Sequence, residues 1–156
     1  MSDINSRALA LLRIAVGVLF LIFAEYKVFG SGFTRGGGFQ YWIDQFLHDG
    51  EAYPFMVPVL KGFVLHNATP IAFLVGYGEL AIGLALVLGV LVRAASVAGI
   101  IYMLTLLFAS NYPGVNAPFW EYFGASLNHL VLALCFAAFA IGRPEQTFSL
   151  RSLFPR

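Results

Sequence analysis

Charge is what this sequence has least of. Asp, Glu, Lys and Arg together make up 11% of it, where a soluble domain carries roughly 25%. Nine basic and eight acidic side chains leave a net charge of +1. A soluble fold of 156 residues keeps much of its surface in water, and so few charges do not cover it. Disorder, a collagen-like repeat and a nucleic-acid-binding domain are excluded, and no global field draws acidic partners or nucleic acid. Thiols are equally scarce. Cys135 is the one cysteine, so an intrachain disulfide, a CxxC redox pair and a Cys-rich metal cluster are excluded. There is no P-loop, no dinucleotide fingerprint and no Ser-His-Asp order. Arg13 interrupts the first apolar run and no small-x-small cleavage pattern follows it, so this run reads as structure rather than as a removable signal.

What is present is apolar: 60% of the residues are hydrophobic, with 16 glycines besides. Four segments, 8–28, 70–92, 94–110 and 120–141, are each apolar enough to be read as membrane spans, which take about 20 residues apiece. The expectation is one all-α integral membrane domain over 1–156, a four-helix bundle in a lipid bilayer. If all four segments span, Arg7, Arg93, Arg143, Arg151 and Arg156 fall on one side and Lys27, Arg35 and Lys61 on the other. The positive-inside rule then places both termini in the cytoplasm. Tyr53, Tyr112, Trp120, Tyr122 and Phe123 are expected as an aromatic belt at the outer interface.

The outer loop, 29–69, is too long and apolar for a linker. Phe39, Trp42, Ile43, Phe46 and Leu47 repeat at helical spacing and form one apolar face, with Gln40, Asp44 and His48 opposite. A second run, 55–65, is broken by Pro58 and Gly62. Both read as short helices in the outer leaflet, either capping the bundle or packing on it. In the second span Ala81, Ala85 and Gly89 lie on one face and Gly76, Glu79 and Gly83 roughly opposite, which predicts close neighbours on two sides.

Polar groups at membrane depth need a partner or a function. Glu79 stands ~14 Å from the outer start of its span, near the middle of a ~30 Å core. His129 lies at a similar distance into the fourth span. A carboxyl and an imidazole at one level can share a proton, which suits proton-coupled chemistry such as that of a bound quinone; the same residues also serve as hydrogen bonds between helices. Tyr77 and Tyr102 are candidates to line a pocket with them. Asn128 points about 100° away from His129 and reads as a helix–helix contact. Ser126 and Thr105 read as satisfying local backbone groups. Lys27 is expected to snorkel outward, Glu25 needs a partner or water, and Arg13 and Arg93 are expected near the inner headgroups. His48, Asp49 and Glu51 match no metal-ligand spacing, and one intramembrane histidine does not make a bis-His haem site within one subunit.

Three stretches taken together resemble the DoxX/DoxD family of small bacterial and archaeal membrane proteins. They are LLRIAVGVLFLIFAEYKVFG, GELAIGLALVLGVLVR and the closing AIGRPEQTFSLRSLF. Arg13, Gly17 and Lys27 match the first pattern. Glu79, Gly83, Gly89 and Arg93 match the second, and Gly142, Arg143, Ser149 and Leu150 the third. Glu25 stands where an aliphatic residue is expected. The resemblance implies a four-helix bundle and, for some members, a subunit of thiosulfate:quinone oxidoreductase. It thereby implies a quinone as cofactor and a soluble or membrane redox subunit as partner, while the residues themselves predict no haem or metal. Two other functions are open: a non-catalytic membrane anchor or assembly partner, and a small-solute or proton pathway formed by a homo-oligomer.

Overall fold

The first apolar run forms one helix, α1 (Asp3–Phe29), in a computed structural model that describes residues 3–124, 127–142, 144 and 147–150. Ser126, Arg143, Arg151 and Arg156, and the side chain of Phe123, lie outside the described residues. Gly30 ends α1, and a short α2 (Ser31–Thr34) follows. The chain then turns at Gly37, whose φ of 82° lies in the left-handed region that glycine enters without a Cβ clash. This turn starts the amphipathic α3 (Gly38–His48). Its Phe39 and Ile43 are buried and its Asp44 and His48 exposed, as the spacing predicts.

The run at 55–65 is not a separate helix. It begins a continuous apolar helical stretch, Val57–Leu88, of 32 residues. The stretch comprises α4 (Val57–Val59), a π turn at Leu60–Val64, a 3₁₀ turn at Leu65–Asn67 and α5 (Ala68–Leu88). Pro58 sits in the first turn, where its missing N–H costs nothing. Pro70 opposes the carbonyl of His66 four residues back, so the helix is loosened at 65–67 rather than ended. Gly89, at φ 70°, and Leu91, at φ 52°, turn the chain into α6 (Val92–Ser110). Arg93 and the small residues Ala94, Ala95 and Ser96, a composition that suggests a turn, instead lie in the first turns of α6. A loop then leads to α7 (Glu121–Gly124) and α8 (Leu127–Gly142).

Three helices among the described residues are long and apolar enough to cross a membrane: α1, Val57–Leu88 and α6. The fourth expected span, 120–141, is described as α7 and α8, with residues 125 and 126 between them outside the described residues. At 16 residues α8 reaches about 24 Å, under the ~30 Å of a hydrocarbon core. No strand occurs among the described residues. Leu11, Ile22, Leu74, Leu84, Ile101 and Leu134 are exposed on the flanks, which identifies lipid as the surrounding medium.

The helices pair as α1 with α5 and α6 with α8. Small residues make both contacts. A Cβ on Gly17 would fall 2.9 Å from Leu86 Cβ, and one on Gly83 would fall 3.0 Å from the Gly17 carbonyl oxygen. Gly99 packs against the Phe136 ring. Of the two small faces expected on α5, the Gly76–Gly83 face meets α1, whereas Ala81 is exposed. A Cβ on Gly83 would also meet Leu21 Cδ2 at 2.8 Å, which can shift, but the Gly17 carbonyl oxygen is backbone, which a side chain cannot push aside. Gly83→Val is therefore expected to destabilise the solubilised protein by about 1–3 kcal/mol in thermal melts. Gly78→Ala on the same helix, where a Cβ meets nothing within 4 Å, is expected to be neutral or stabilising. Equal melting of the two variants would contradict this packing.

Candidate functional site, a cavity with one polar end

The two helix pairs separate toward the end that carries α2 and α3, here called the loop end; the opposite end, with Gly89–Leu91, is the turn end. Between the pairs is a cavity of about 730 Å³. Four helices supply its long walls, and α3 covers it with Phe39, Trp42, Ile43 and Phe46. The amphipathic helix therefore caps the bundle and forms part of the wall. Its rings continue inward as edge-on pairs, Phe33 with Phe39 at 5.8 Å and Phe20 with Tyr102 at 6.5 Å.

The polar end is built on α1, α5 and α6. Lys27 Nζ donates to both Glu79 oxygens, at 2.5 Å to Oε1 and 2.7 Å to Oε2. Tyr102 donates its hydroxyl to Glu79 Oε1. Gly76, one turn before Glu79, lets α1 approach; a Cβ there would meet Lys27 Cβ at 3.3 Å. The pair is nearly sealed, with side-chain exposures of 11% for Lys27 and 5% for Glu79. Burial of two charges is tolerated because they neutralise each other and share hydrogen bonds. The ammonium also lies 5.3 Å from the Phe33 ring centroid and 5.7 Å from that of Tyr26. Two of its three N–H groups are used by Glu79, and Lys27 stands in the cavity wall with one remaining.

Lys27 thus turns inward instead of snorkelling, because an unpaired Glu79 at that depth would cost more than holding the pair out of water. His129 also lines the cavity, but it does not bond Glu79. Its Nδ1 donates to Asn111 Oδ1 at 2.5 Å, which leaves Nε2 as an acceptor in the neutral ring. Asn111, at the end of α6, carried no sequence signal. Asn128 lines the cavity beside His129 and is exposed, not held between helices.

Other candidates lie elsewhere. Tyr77 is 51% exposed, stacks on Phe73 at 6.0 Å and is not part of the wall. Glu25 and Arg93 are exposed. Thr105 bonds the Ile101 carbonyl, as its position predicts. Arg13 is at neither headgroup nor water: it is fully buried, donating to the carbonyls of Leu86 at 2.7 Å and Phe148 at 2.6 Å. Carbonyls at the C-terminal end of α5 attract a cation there. Tyr53, Tyr112 and Tyr122 cluster with centroids 5.0–6.3 Å apart at the loop end. His48 and Gln45 both hydrogen-bond Asp49 on the exposed surface, and His48 is the larger cause of holding its carboxyl below the usual range.

Flanks in lipid, a cavity inside the helices and a buried ion pair at its polar end define a multi-pass, all-helical membrane protein. The DoxX family profile matches residues 8–111, two thirds of the chain, and the protein belongs to that family. The match takes in Lys27, Glu79, Tyr102 and Asn111 but not His129. No curated protein and no solved structure matches the chain.

Proposed function

We propose that this DoxX protein is the membrane subunit of a quinone-linked oxidoreductase and that the cavity holds the quinone ring. The observation that carries this reading is the Lys27–Glu79–Tyr102 cluster at the end of an otherwise apolar, aromatic-walled space. A volume near 730 Å³ falls within the roughly 300–1,000 Å³ of small-molecule sites. Such a ligand needs an apolar slot, a donor for its carbonyl oxygens and an acceptor for its hydroxyls when reduced. The remaining N–H of Lys27 is the donor and His129 Nε2 the acceptor.

A quinone supplies two-electron, two-proton chemistry. The chain's own residues bind, orient and exchange protons. Lys27 holds one carbonyl oxygen, Tyr102 keeps Glu79 in place, and the aromatic walls exclude water. Glu79 and His129, on either side of the space, are the groups that accept and return protons. Electrons come from a partner subunit, with thiosulfate or a redox-stress donor as the source. In the orientation favoured by the arginines, the turn end faces the cytoplasm.

The test is purification in mild detergent with quinone added back, followed by extraction and mass spectrometry. Roughly stoichiometric quinone is expected with the unaltered protein. His129→Leu removes the acceptor for a hydroxyl of the reduced ligand, so with the quinol added back under reducing conditions it is expected to weaken binding roughly tenfold, while retention of the oxidised quinone is little changed. Recovery of phospholipid alone from a well-folded protein would reject the reading in favour of a membrane anchor.

A further inference from the structure

We propose that the cavity is loaded sideways, from the lipid, through a seam between α1 and α8. A long-chain ligand then sits with its carbonyl ring at Lys27 and its chain lying out along the seam. This rests on the cavity being a quinone-type site and adds the route and the position of the chain.

Exposure within the wall is confined to α1, α8 and Trp42 of α3. On α1, Leu19 is 44% and Phe23 50% exposed, and on α8 Val131 is 47%. The opposite wall is sealed, with Glu79 at 5% and Met103 at 4%. The seam has a closed end and an open end. Toward the turn end α1 and α8 touch: a Cβ on Gly142 would fall 2.5 Å from Leu9 Cδ2, and the Phe20 and Phe136 rings meet edge-on at 5.2 Å. Loopward of that ring pair Phe23 on α1 and Val131 on α8 line the cavity and are exposed, with Leu19 about level with Phe20.

A route from water at the loop end is closed by α3. Its Phe39 and Ile43 are only 7% and 6% exposed, and Phe33 packs beneath them. The exposed part of the wall is mostly apolar, Leu19, Phe23 and Val131 with the rings of Tyr26 and Trp42, and Asn128 is its one exposed amide among the described residues, which favours a hydrocarbon chain over a hydrated solute. The polar end selects the head group. Lys27 is compensated by Glu79, so a neutral carbonyl is served by the remaining N–H, while a carboxylate or phosphate head meets no net positive charge and the Glu79 carboxylate nearby.

Trp42 stands in the wall and reports occupancy, because a quinone ring nearby quenches indole fluorescence. Trp120 is the other of the two tryptophans, and it is exposed outside the cavity. The experiment uses the full chain carrying Trp120→Phe in nanodiscs, with prenylated benzoquinone delivered in the lipid and Trp42 quenching followed in time. Val131→Phe narrows the seam and is expected to slow quenching by roughly tenfold, whereas Phe23→Ala widens it and speeds quenching. Leu19→Phe repeats the narrowing from the other side. Normal quenching with all three rates within about twofold of the parent would overturn the lateral route while leaving the site itself standing. No quenching in the parent would overturn the site and the route together. Disulfide capture of a second copy through cysteines placed at 19 and 131, with no quenching, would assign the seam to a dimer contact instead.

Discussion

Lys27→Met is expected to destabilise the protein by about 3–5 kcal/mol, and adding Glu79→Gln is expected to restore most of that loss. The single variant leaves a carboxylate that is 5% exposed without its cation. Tyr102 still donates to it, but one neutral hydrogen bond does not offset a buried charge. In the double variant both residues are neutral, the volumes are nearly kept and the Tyr102 hydroxyl still finds an amide oxygen. Thermal melting of the four proteins in one detergent gives the coupling directly. If the double variant melts no higher than Lys27→Met, the pair is not the source of the loss. The same set separates fold from function, because the double variant is expected to be folded and yet to bind quinone poorly, having lost the donor.

Arg13→Met is expected to cost about 3 kcal/mol and to release the segment 147–150. Arg13 is fully buried and joins three parts of the chain. Nη1 serves the Leu86 carbonyl at the end of α5, and Nη2 serves the carbonyls of Phe148 at 2.6 Å and Thr147 at 3.4 Å. Methionine keeps the bulk and removes the donors, so buried carbonyls are left underserved. Arg13→Lys is expected to fall between, since one ammonium does not reproduce the fork of a guanidinium. Hydrogen exchange over 147–150 is the discriminating readout. Exchange in Arg13→Met that matches the parent would show that the tail is held by other contacts.

The sequence made Glu79 legible and left its partner hidden. A carboxyl in the middle of an apolar span is visible by counting, and the Gly76–Glu79–Gly83 face marked where another helix comes close. The residue on that other helix depends on the relative register of α1 and α5, which no local pattern encodes. Lys27 therefore read as an interfacial lysine, although it is 52 positions from the carboxylate it serves. Arg13 was misplaced for the same reason: its partners are backbone carbonyls, which carry no residue signature. The amphipathic face of α3 was plain at helical spacing. The run at 55–65 is hard to read because Pro58 and Gly62 look like breaks in sequence, whereas a first-turn proline and a π turn keep the helix going. Tyr102 was one of several tyrosines in apolar helices, and only the fold distinguishes it from Tyr77. Asn111 stood in a loop-like sequence and gave no reason to be singled out.

The connection between α5 and α6 is very short, Gly89 to Leu91, and Arg13 binds the same end of the molecule to the chain's last described residues. At the other end the same two helix pairs stand apart around the cavity, joined by long segments and by α3. The body is thus built like a clothes-peg, sprung at one end and free to part at the other. Guests of different thickness would change the gape of the jaws while the spring kept its contacts, and residues far from the spring would travel furthest. A partner that gripped the turn end would then meet the same surface whether the cavity were full or empty, whereas one that rested on α3 would feel an occupant.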